Sequence, residues 1–186
     1  MAEQVLELVS PTGNERVLDV GCGSGALAAV IRRSVRSLSG IDLVSHRLAQ
    51  AQRAIPDGSF FRQSFLEPFP GGPYDVIYSF CVVQYCHPRS LDIMLANCVA
   101  ALAPNGRIVH GDLIDRDKVG ALLSPPSARS LSWYLRARMG SGRIWKDGSY
   151  AVDVQALVRR WNTAALRTEA FPGGVNYRTH VRMTRV

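Results

Sequence analysis

The 186-residue sequence lacks the features of several protein classes. No hydrophobic run approaches the roughly 20 residues that a helix needs to span a bilayer, and residues 1–10 lack the basic region of a secretory signal. There are only four cysteines, and no two of them form a CxxC pair, so neither a disulfide framework nor a metal site is expected. Because 47% of the residues are hydrophobic, we expect a single globular domain over residues 1–186. Because neither a signal nor a disulfide framework is indicated, we expect it in the reducing cytoplasm.

Lysine is scarce as well, since only Lys118 and Lys146 are lysines among the 22 basic residues. The formal net charge of +7 is unevenly placed, because residues 1–128 have a balance of −1 and residues 129–186 have a balance of +8. A region of one sign attracts anions, so it suggests a phosphorylated, carboxylated or nucleic-acid partner. A general preference for arginine, without such a partner, explains the same excess of basic residues, and the sequence leaves both interpretations open.

Short β-branched segments alternate with segments of helical periodicity. The patterns predict strands within residues 15–20, 35–43, 59–63 and 74–80, and a fifth strand that begins at residues 107–109. Helices are predicted over residues 25–33 and from Ser45, Ser90 and Asp153, with Ser45 and Asp153 as N-caps. The helix from Ser90 has one continuous apolar stripe, formed by Leu91, Met94, Leu95, Cys98, Val99 and Leu102. Two further strands are predicted near the C-terminus, joined through Pro172, Gly173 and Gly174. This alternation predicts an α/β fold with a doubly wound, mostly parallel seven-stranded sheet and a C-terminal antiparallel hairpin.

A glycine-rich loop follows the first predicted strand. Gly21 and Gly23 lie between that strand and the next helix, where glycine allows a tight turn and keeps the backbone accessible to a ligand. Together with Ala26, and with Asp42 about 20 residues further on, they satisfy the dinucleotide fingerprint GxGxxA. The loop alone is therefore ambiguous, and a nicotinamide dinucleotide is an alternative ligand at this point.

Asp19 favours a different ligand, because it places a carboxylate two positions before the first glycine, at an otherwise apolar strand end. A carboxylate there repels a pyrophosphate but suits an amino group or a sulfonium. Gly25 also shortens the glycine spacing to GxGxG, which departs from the pyrophosphate pattern. The pattern Asp19-x-Gly21-x-Gly23-x-Gly25 resembles the first motif of class I S-adenosylmethionine-dependent methyltransferases.

The resemblance to this family covers roughly residues 5–112 well and the C-terminal part loosely. Residues 74–80 (YDVIYSF) resemble the family's fourth-strand motif, and residues 104–107 (PNGR) resemble its Pro-Gly-Gly turn into the fifth strand. The resemblance implies a Rossmann-like methyltransferase fold, S-adenosylmethionine as cofactor and S-adenosylhomocysteine as product. The cofactor-binding residues that it implies are Asp19, Gly21, Cys22, Gly23, Gly25, Asp42, Leu43, Ser64, Phe65, Ser79 and Phe80.

Several of these positions have more specific expectations. Asp42 matches the family's acid that binds both ribose hydroxyls. Ser64 and Phe65 follow the third strand, where the family usually has an acid beside the adenine, so here we expect a hydroxyl hydrogen bond and apolar packing. Cys22 is expected to face the ligand through its backbone, because the sequence shows no base that would make it a nucleophile.

Methyl transfer requires alignment of the nucleophile with the methyl carbon, and a base that removes the nucleophile's proton typically adds about 10²–10⁴-fold. Open α/β sheets place ligands at the carboxyl ends of their strands, which is where His87, His110 and Asp112 are expected. We favour His110 with Asp112 as the catalytic pair over His87. The alternative for His110 is a sheet residue with a satisfied hydrogen bond.

Residues 113–150 form a long connection that is rich in serine, proline, glycine, arginine and aromatic residues. Long insertions in compact domains are usually lids or binding loops, so we expect this segment to cover the methyl site. Its arginines, such as Arg136, Arg138 and Arg143, suit an anionic acceptor. Aromatic residues interleaved with arginine also suit single-stranded RNA, and they also suit simple coverage of the sheet.

The sequence therefore predicts a methyltransferase for a small or medium, anionic acceptor, such as a sugar, a nucleotide-linked sugar or a natural product, with no membrane partner. The alternative enzyme is an RNA methyltransferase, and the alternative outside enzymes is a non-catalytic, cofactor-binding regulatory protein. A nicotinamide-dependent reductase is disfavoured by Asp19 and by the lack of a Tyr-x-x-x-Lys pair. The atom that is methylated and the oligomeric state are not predicted.

Overall fold

The computed structural model describes residues 2–119 and 149–186. Helices α1 to α5 are Ala2–Val9, Ala26–Arg32, Ser45–Ala54, Leu91–Ala101 and Val154–Trp161. Strands β1 to β7 are Arg16–Val20, Ser37–Asp42, Ser59–Arg62, Tyr74–Phe80, Leu102–Ile114, Leu166–Pro172 and Arg178–Arg185. Two short 3-10 segments, Val83–Tyr85 and Pro88–Ser90, connect β4 to α4.

The seven strands form one sheet with the order β3-β2-β1-β4-β5-β7-β6. Neighbours among β1 to β5 are parallel, whereas β7 is antiparallel to both β5 and β6. The predicted doubly wound sheet and its C-terminal antiparallel hairpin are therefore confirmed. The strand order reverses between β1 and β4, which creates a crevice at the carboxyl ends of these two strands, where open α/β sheets bind ligands.

Both faces of the central strands are buried, which explains why they appear in the sequence as nearly continuous apolar runs. On one face of β1, Val17 packs in a cluster with Ile31 of α2. On the other face, Leu18 packs in a second cluster with Met94 of α4 and Trp161 of α5. The two clusters hold the sheet rigidly between helices, so the loops at its carboxyl edge have a fixed base.

Helices α4 and α5 agree with their sequence patterns. Leu91, Met94 and Cys98 of the predicted stripe are buried along one face of α4, and Leu95 and Val99 are partly buried. Leu102, the last residue of that stripe, lies in β5, so the helix is shorter than predicted. Asp153 is the N-cap of α5, as predicted, and its side chain accepts a hydrogen bond from the Ala156 N–H at 2.7 Å.

The start of α3 differs from the prediction. Val44, not Ser45, is the N-cap, and no side chain caps the helix. The Val44 N–H instead donates to Asp42 Oδ1 at 2.9 Å. The acid at the end of β2 therefore organises this turn, and the predicted serine cap is wrong.

Strand β5 is longer than predicted at both ends. It begins at Leu102, continues through Asn105, which has a φ of 61°, and ends at Ile114. Asparagine tolerates this left-handed conformation, so the chain can turn there without a glycine. Leu113 and Ile114 thus belong to the sheet and not to the expected lid, most of which lies outside the described residues.

The described helices are short, with α4 having 11 residues, and none of them is long and apolar enough to cross a bilayer. All four cysteines are free thiols. Within residues 2–119 and 149–186, no group of three His, Cys, Asp or Glu side chains is placed so that it could hold a metal ion.

Candidate active site

The glycine loop between β1 and α2 forms a tight turn at the carboxyl edge of the sheet. The N–H groups of Gly21 and Cys22 both donate to the Ile41 carbonyl of β2, at 2.8 and 3.0 Å. Gly21, Gly23 and Gly25 have positive φ angles of 79°, 54° and 80°. Residues with a Cβ adopt this region at a cost, so the loop depends on glycine at these positions.

Two of the glycines differ in what surrounds them. A Cβ at Gly23 would have no heavy atom within 4 Å, so the Gly23 backbone is open to a ligand. A Cβ at Gly25 would lie 2.9 Å from the Ala51 Cβ, so Gly25 allows α2 to approach α3 closely. Gly25, predicted as a cofactor contact, therefore serves helix packing.

Asp42 is the last residue of β2 and lies beside the loop. Its Oδ2 accepts a hydrogen bond from the Gly23 N–H and its Oδ1 accepts one from the Val44 N–H, both at 2.9 Å. These bonds fix the direction of the carboxylate, and each oxygen keeps the capacity to accept a further hydrogen bond. Two adjacent hydroxyl groups of a ligand suit such a carboxylate.

Asp19 on β1 is a buried carboxylate, with only 4% of the residue exposed. Its Oδ2 accepts a hydrogen bond of 2.6 Å from the Tyr78 hydroxyl of β4. Burial raises the pKa of Asp19 to about 7; the Tyr78 hydrogen bond opposes this shift and the nearby Asp42 charge adds to it. Asp19 therefore favours a ligand that brings a positive charge.

A cleft with two lobes lies over the loop. The lobe beside Asp42 has a volume of about 460 Å³ and the lobe beside Asp19 has a volume of about 430 Å³. Both lobes are lined by Gly21, Arg47, Phe80 and Cys81. The Asp42 lobe also includes Leu43, Phe65 and Tyr85, and the Asp19 lobe also includes Cys22, Gly23 and His46. The cleft therefore places one carboxylate in each of two spaces that share four lining residues.

The structure brings eight of the predicted cofactor residues to this cleft: Asp19, Gly21, Cys22, Gly23, Asp42, Leu43, Phe65 and Phe80. Ser64 does not line either lobe, because its Oγ accepts a hydrogen bond from the Leu66 N–H at 3.1 Å within a turn. Ser79 is buried, and its Oγ lies 2.8 Å from His110 Nδ1. Successive strand residues face opposite ways, so Phe80 reaches the cleft and Ser79 does not.

His110 lies in the core rather than at the cleft. It is fully buried on β5, and its ring lies 5.8 Å from the Trp161 ring of α5. Burial lowers the pKa of His110 to about 4, so the imidazole is neutral near pH 7. Because α5 covers this face of β5, the structure does not support His110 as the base and favours the alternative of a hydrogen-bonded sheet residue.

His87 does not line either lobe of the cleft. It is exposed, and its Nδ1 accepts a hydrogen bond from the Arg89 N–H at 3.2 Å. The centres of the His87 and Tyr150 rings lie 5.5 Å apart in a T-shaped arrangement. The imidazole thus caps a 3-10 turn. The structure does not support a catalytic role for His87 at this cleft.

Asp112, the third predicted catalytic residue, belongs to a polar cluster next to the cleft. Its Oδ2 accepts a hydrogen bond from the Cys81 thiol at 3.0 Å and lies 3.5 Å from Arg178 Nη1. The same Arg178 nitrogen donates to the Asp112 carbonyl at 2.7 Å and to Gln84 Oε1. Burial and the hydrogen bond to Asp112 raise the pKa of the Cys81 thiol to about 12, so Cys81 donates as a neutral thiol.

The backbone around this cluster is unusual. Cys81 and Asp112 have φ angles of 60° and 61°, which few residues with a Cβ adopt. The pairing of β5 with β7 shifts register between His110 and Leu113, and the Asp112 N–H donates to His180 Nδ1 at 3.0 Å. Such strained positions cluster at functional sites. Cys81 lines both lobes, so Asp112 lies one side chain away from the cleft.

A family model described as a methyltransferase domain matches residues 17–106, which include the glycine loop, Asp19 and Asp42. This match agrees with the resemblance of the glycine loop, Asp19 and Asp42 to S-adenosylmethionine-dependent methyltransferases. The chain is similar to trans-aconitate 2-methyltransferase of Klebsiella pneumoniae, with 31% identity over 109 residues, which are 58% of this chain and 42% of that protein.

Two further comparisons concern the sequence and the fold of this chain. Demethylspheroidene O-methyltransferase of Rhodobacter capsulatus is 38% identical over 113 residues, which are 59% of this chain and 28% of that protein. The chain thus spans less than half the length of these two curated relatives. The N-methyltransferase NodS from Bradyrhizobium japonicum WM9 has the same fold, with a TM-score of 0.67 and 18% identity, over 99% of this chain and 93% of that chain.

Sequence reasoning missed several residues that line the cleft, among them Arg47, Cys81 and Tyr85. Cys81 follows the last residue of β4, so the rule that ligands bind at carboxyl strand ends could have identified it. Arg47 lies five residues after Asp42 on an exposed turn of α3. The sequence does not distinguish an arginine at such a position from an ordinary surface residue.

Asp19→Asn is expected to stabilise the ligand-free domain more at pH 8 than at pH 5, by roughly 3 kcal/mol. An acid whose folded pKa is raised above its unfolded value loses stability as the pH rises between the two values, here from 3.8 to about 7. Urea unfolding of both proteins at both pH values measures this difference. Asp117→Asn, at an exposed acid, is the control, and a stabilisation that does not depend on pH would contradict the prediction.

Proposed function

We propose that this protein transfers a methyl group from S-adenosylmethionine to a small or medium acceptor. The observation that carries the proposal is the placement of Asp19 and Asp42 in two lobes that share Gly21, with the open Gly23 backbone in the Asp19 lobe. In this assignment Asp42 accepts hydrogen bonds from both ribose hydroxyls, and Asp19 pairs with the amino group of the methionine part. The bound cofactor supplies a methyl group on a positively charged sulfur.

The residues around the cleft fit this cofactor better than a dinucleotide. The Asp42 lobe offers the apolar side chains of Leu43 and Phe65 to the adenine, whereas the Asp19 lobe offers a buried carboxylate. A pyrophosphate beside Asp19 would bring two like charges together in a region of low dielectric constant, which is costly. These features support S-adenosylmethionine over a nicotinamide dinucleotide.

Asp112 is the group that we propose as the base for the acceptor. Its Oδ2 is occupied by Cys81 and Arg178, and no described residue donates a hydrogen bond to its Oδ1. The free oxygen can accept a hydrogen bond from an acceptor hydroxyl or amine. His110, which the sequence favours as its partner, is not needed for this arrangement.

We further propose that the acceptor is anionic, such as a sugar acid, a nucleotide-linked sugar or a carboxylated natural product. The support is the uneven charge of the sequence, because residues 129–186 have a balance of +8. A region of one sign attracts anions such as carboxylates and phosphates. Arg136, Arg138 and Arg143, on which the sequence-based expectation depended, lie outside the described residues.

Calorimetry with the purified protein tests the cofactor assignment. We expect binding of S-adenosylmethionine and S-adenosylhomocysteine and no binding of NAD. Binding of NAD alone, or of none of the three, would overturn the proposal.

Turnover is tested by measuring S-adenosylhomocysteine formation with a carboxylate (trans-aconitate), an amino sugar, a sugar phosphate and a short single-stranded RNA. Activity on RNA that falls steeply with salt would favour the alternative RNA methyltransferase, because phosphate contacts release counterions. Cofactor binding without turnover on any acceptor would favour a regulatory, non-catalytic protein.

A further inference from the structure

The Asp19 lobe contains a buried carboxylate that lacks a cationic partner. Among the described residues, Asp19 forms no salt bridge, and the Tyr78 hydroxyl is the donor that contacts its side chain. Asp42, by contrast, accepts two backbone N–H groups and is partly exposed. Burying an ionised carboxylate with one neutral donor is unfavourable unless a positive charge joins it. The lobe is therefore electrostatically incomplete until a cation binds.

We propose that Tyr78 is a positioning residue that orients the Asp19 carboxylate toward the cofactor's ammonium group, and that Asp19 loses its proton when this group binds, so cofactor affinity rises with pH. The inference rests on the proposed function, because it assumes that the ligand of the cleft has an amino group beside Asp19. It adds a pH dependence and a role for Tyr78 that the cleft assignment alone does not contain.

The sheet places Tyr78 directly opposite Asp19. The two residues are register partners in the parallel pair of β1 and β4, so their side chains leave the sheet on the same face. Tyr78 is 1% exposed, and its hydroxyl lies 2.6 Å from Asp19 Oδ2. Burial and the Asp19 charge hold the pKa of Tyr78 well above its ordinary value, so the phenol remains a donor. A neutral donor orients the carboxylate and leaves its charge for the ligand.

Other titratable or charged groups also face the Asp19 lobe. The Asp42 charge disfavours ionisation of Asp19, and burial together with these two acids keeps the Cys22 thiol protonated by raising its pKa. His46 and Arg47 line the lobe from α3. A histidine side chain can by itself make ligand binding depend on pH, so the contribution of His46 must be tested separately.

The sign of the expected dependence follows from the ionisation of Asp19. The pKa of Asp19 is about 7 in the free protein, so below that value most molecules carry a neutral carboxyl. A ligand ammonium then binds only with release of the Asp19 proton. We expect S-adenosylhomocysteine to bind roughly tenfold more weakly at pH 5.5 than at pH 7, since its amino group stays protonated over this range.

The experiment is calorimetry from pH 5.5 to 8 with two probes. S-adenosylhomocysteine contains the amino group, whereas 5′-methylthioadenosine has the same nucleoside and lacks the amino-acid part. We expect a strong pH dependence for the first probe and a nearly constant affinity for the second. An equal pH dependence for both probes, or none for S-adenosylhomocysteine, would overturn the inference while leaving the cofactor assignment in place.

Three variants separate the contributions of individual residues. Tyr78→Phe removes only the hydroxyl, so we expect a roughly tenfold loss of S-adenosylhomocysteine affinity at pH 7. The pH at which this affinity rises should also be higher than in the wild type, because the hydrogen bond that favours the ionised Asp19 is lost. Binding of 5′-methylthioadenosine should be unchanged. Asp19→Asn should abolish the pH dependence, and His46→Gln should retain it. If Tyr78→Phe weakens both probes equally at every pH, the role of Tyr78 is structural and the proposal for it is wrong. Absence of any binding to the wild type would instead contradict the proposed function.

Discussion

Asp42→Ala is expected to weaken S-adenosylhomocysteine binding by at least about 100-fold. In our assignment the carboxylate accepts both ribose hydroxyls, and hydrogen bonds to a charged group contribute roughly 1.5–3 kcal/mol each. The substitution also removes the acceptor for the Gly23 and Val44 N–H groups, so the loop that faces the ligand loses its orientation. Both effects act on the same lobe, which is why this substitution is expected to have the largest effect on binding.

Calorimetry with Asp42→Ala, Asp42→Asn and Asp57→Ala checks this expectation. The amide introduced by Asp42→Asn retains one oxygen acceptor, so we expect an intermediate loss for that variant. Asp57 is an exposed acid that pairs with Arg32 and lines neither lobe of the cleft, so its replacement is the control. An affinity for Asp42→Ala within a few-fold of the wild type would remove Asp42 from the site.

The central sheet, the glycine loop and the two acids beside it could be predicted because local chemistry determines them. Gly21 and Gly23 have positive φ angles, and glycine adopts such angles most readily, so this turn is visible in the sequence as closely spaced glycines. Asp19 and Asp42 are acids near the carboxyl ends of neighbouring strands, and parallel strands bring such ends together at one edge. Both signals depend on residues that are close along the chain or on adjacent strands.

The arrangement of residues around Asp112, the proposed base, could not be predicted in the same way, because it depends on packing between elements that are distant along the chain. His110 is at the expected end of β5, but Trp161, about 50 residues later, covers the face to which it points. The pairing of β5 with β7 also shifts register between His110 and Leu113, so the regular alternation of strand residues does not predict the side on which Asp112 lies. Arg178 reaches Asp112 only because β7 is antiparallel to β5, a long-range pairing that no local pattern specifies.

Asp112→Asn is expected to lower turnover by about 10²–10⁴-fold while changing cofactor affinity by less than about twofold. In the proposed reaction, the acceptor oxygen or nitrogen forms a bond to the methyl carbon, the carbon–sulfur bond breaks with its electron pair going to sulfur, and the acceptor proton passes to Asp112 Oδ1. An amide cannot take that proton. Asparagine tolerates the φ of 61° at this position, and its oxygen can still accept the Cys81 thiol, so the fold should be retained.

Initial rates of S-adenosylhomocysteine formation, with the acceptor identified from the four classes above, measure the effect of Asp112→Asn. Asp117→Asn is the matched control, because Asp117 is an exposed acid five residues further along the chain. Turnover equal to that of the wild type would exclude Asp112 as the base. A loss of cofactor affinity as large as the loss of turnover would indicate that the cluster of Cys81, Asp112 and Arg178 shapes the cofactor cleft, because Cys81 lines both of its lobes.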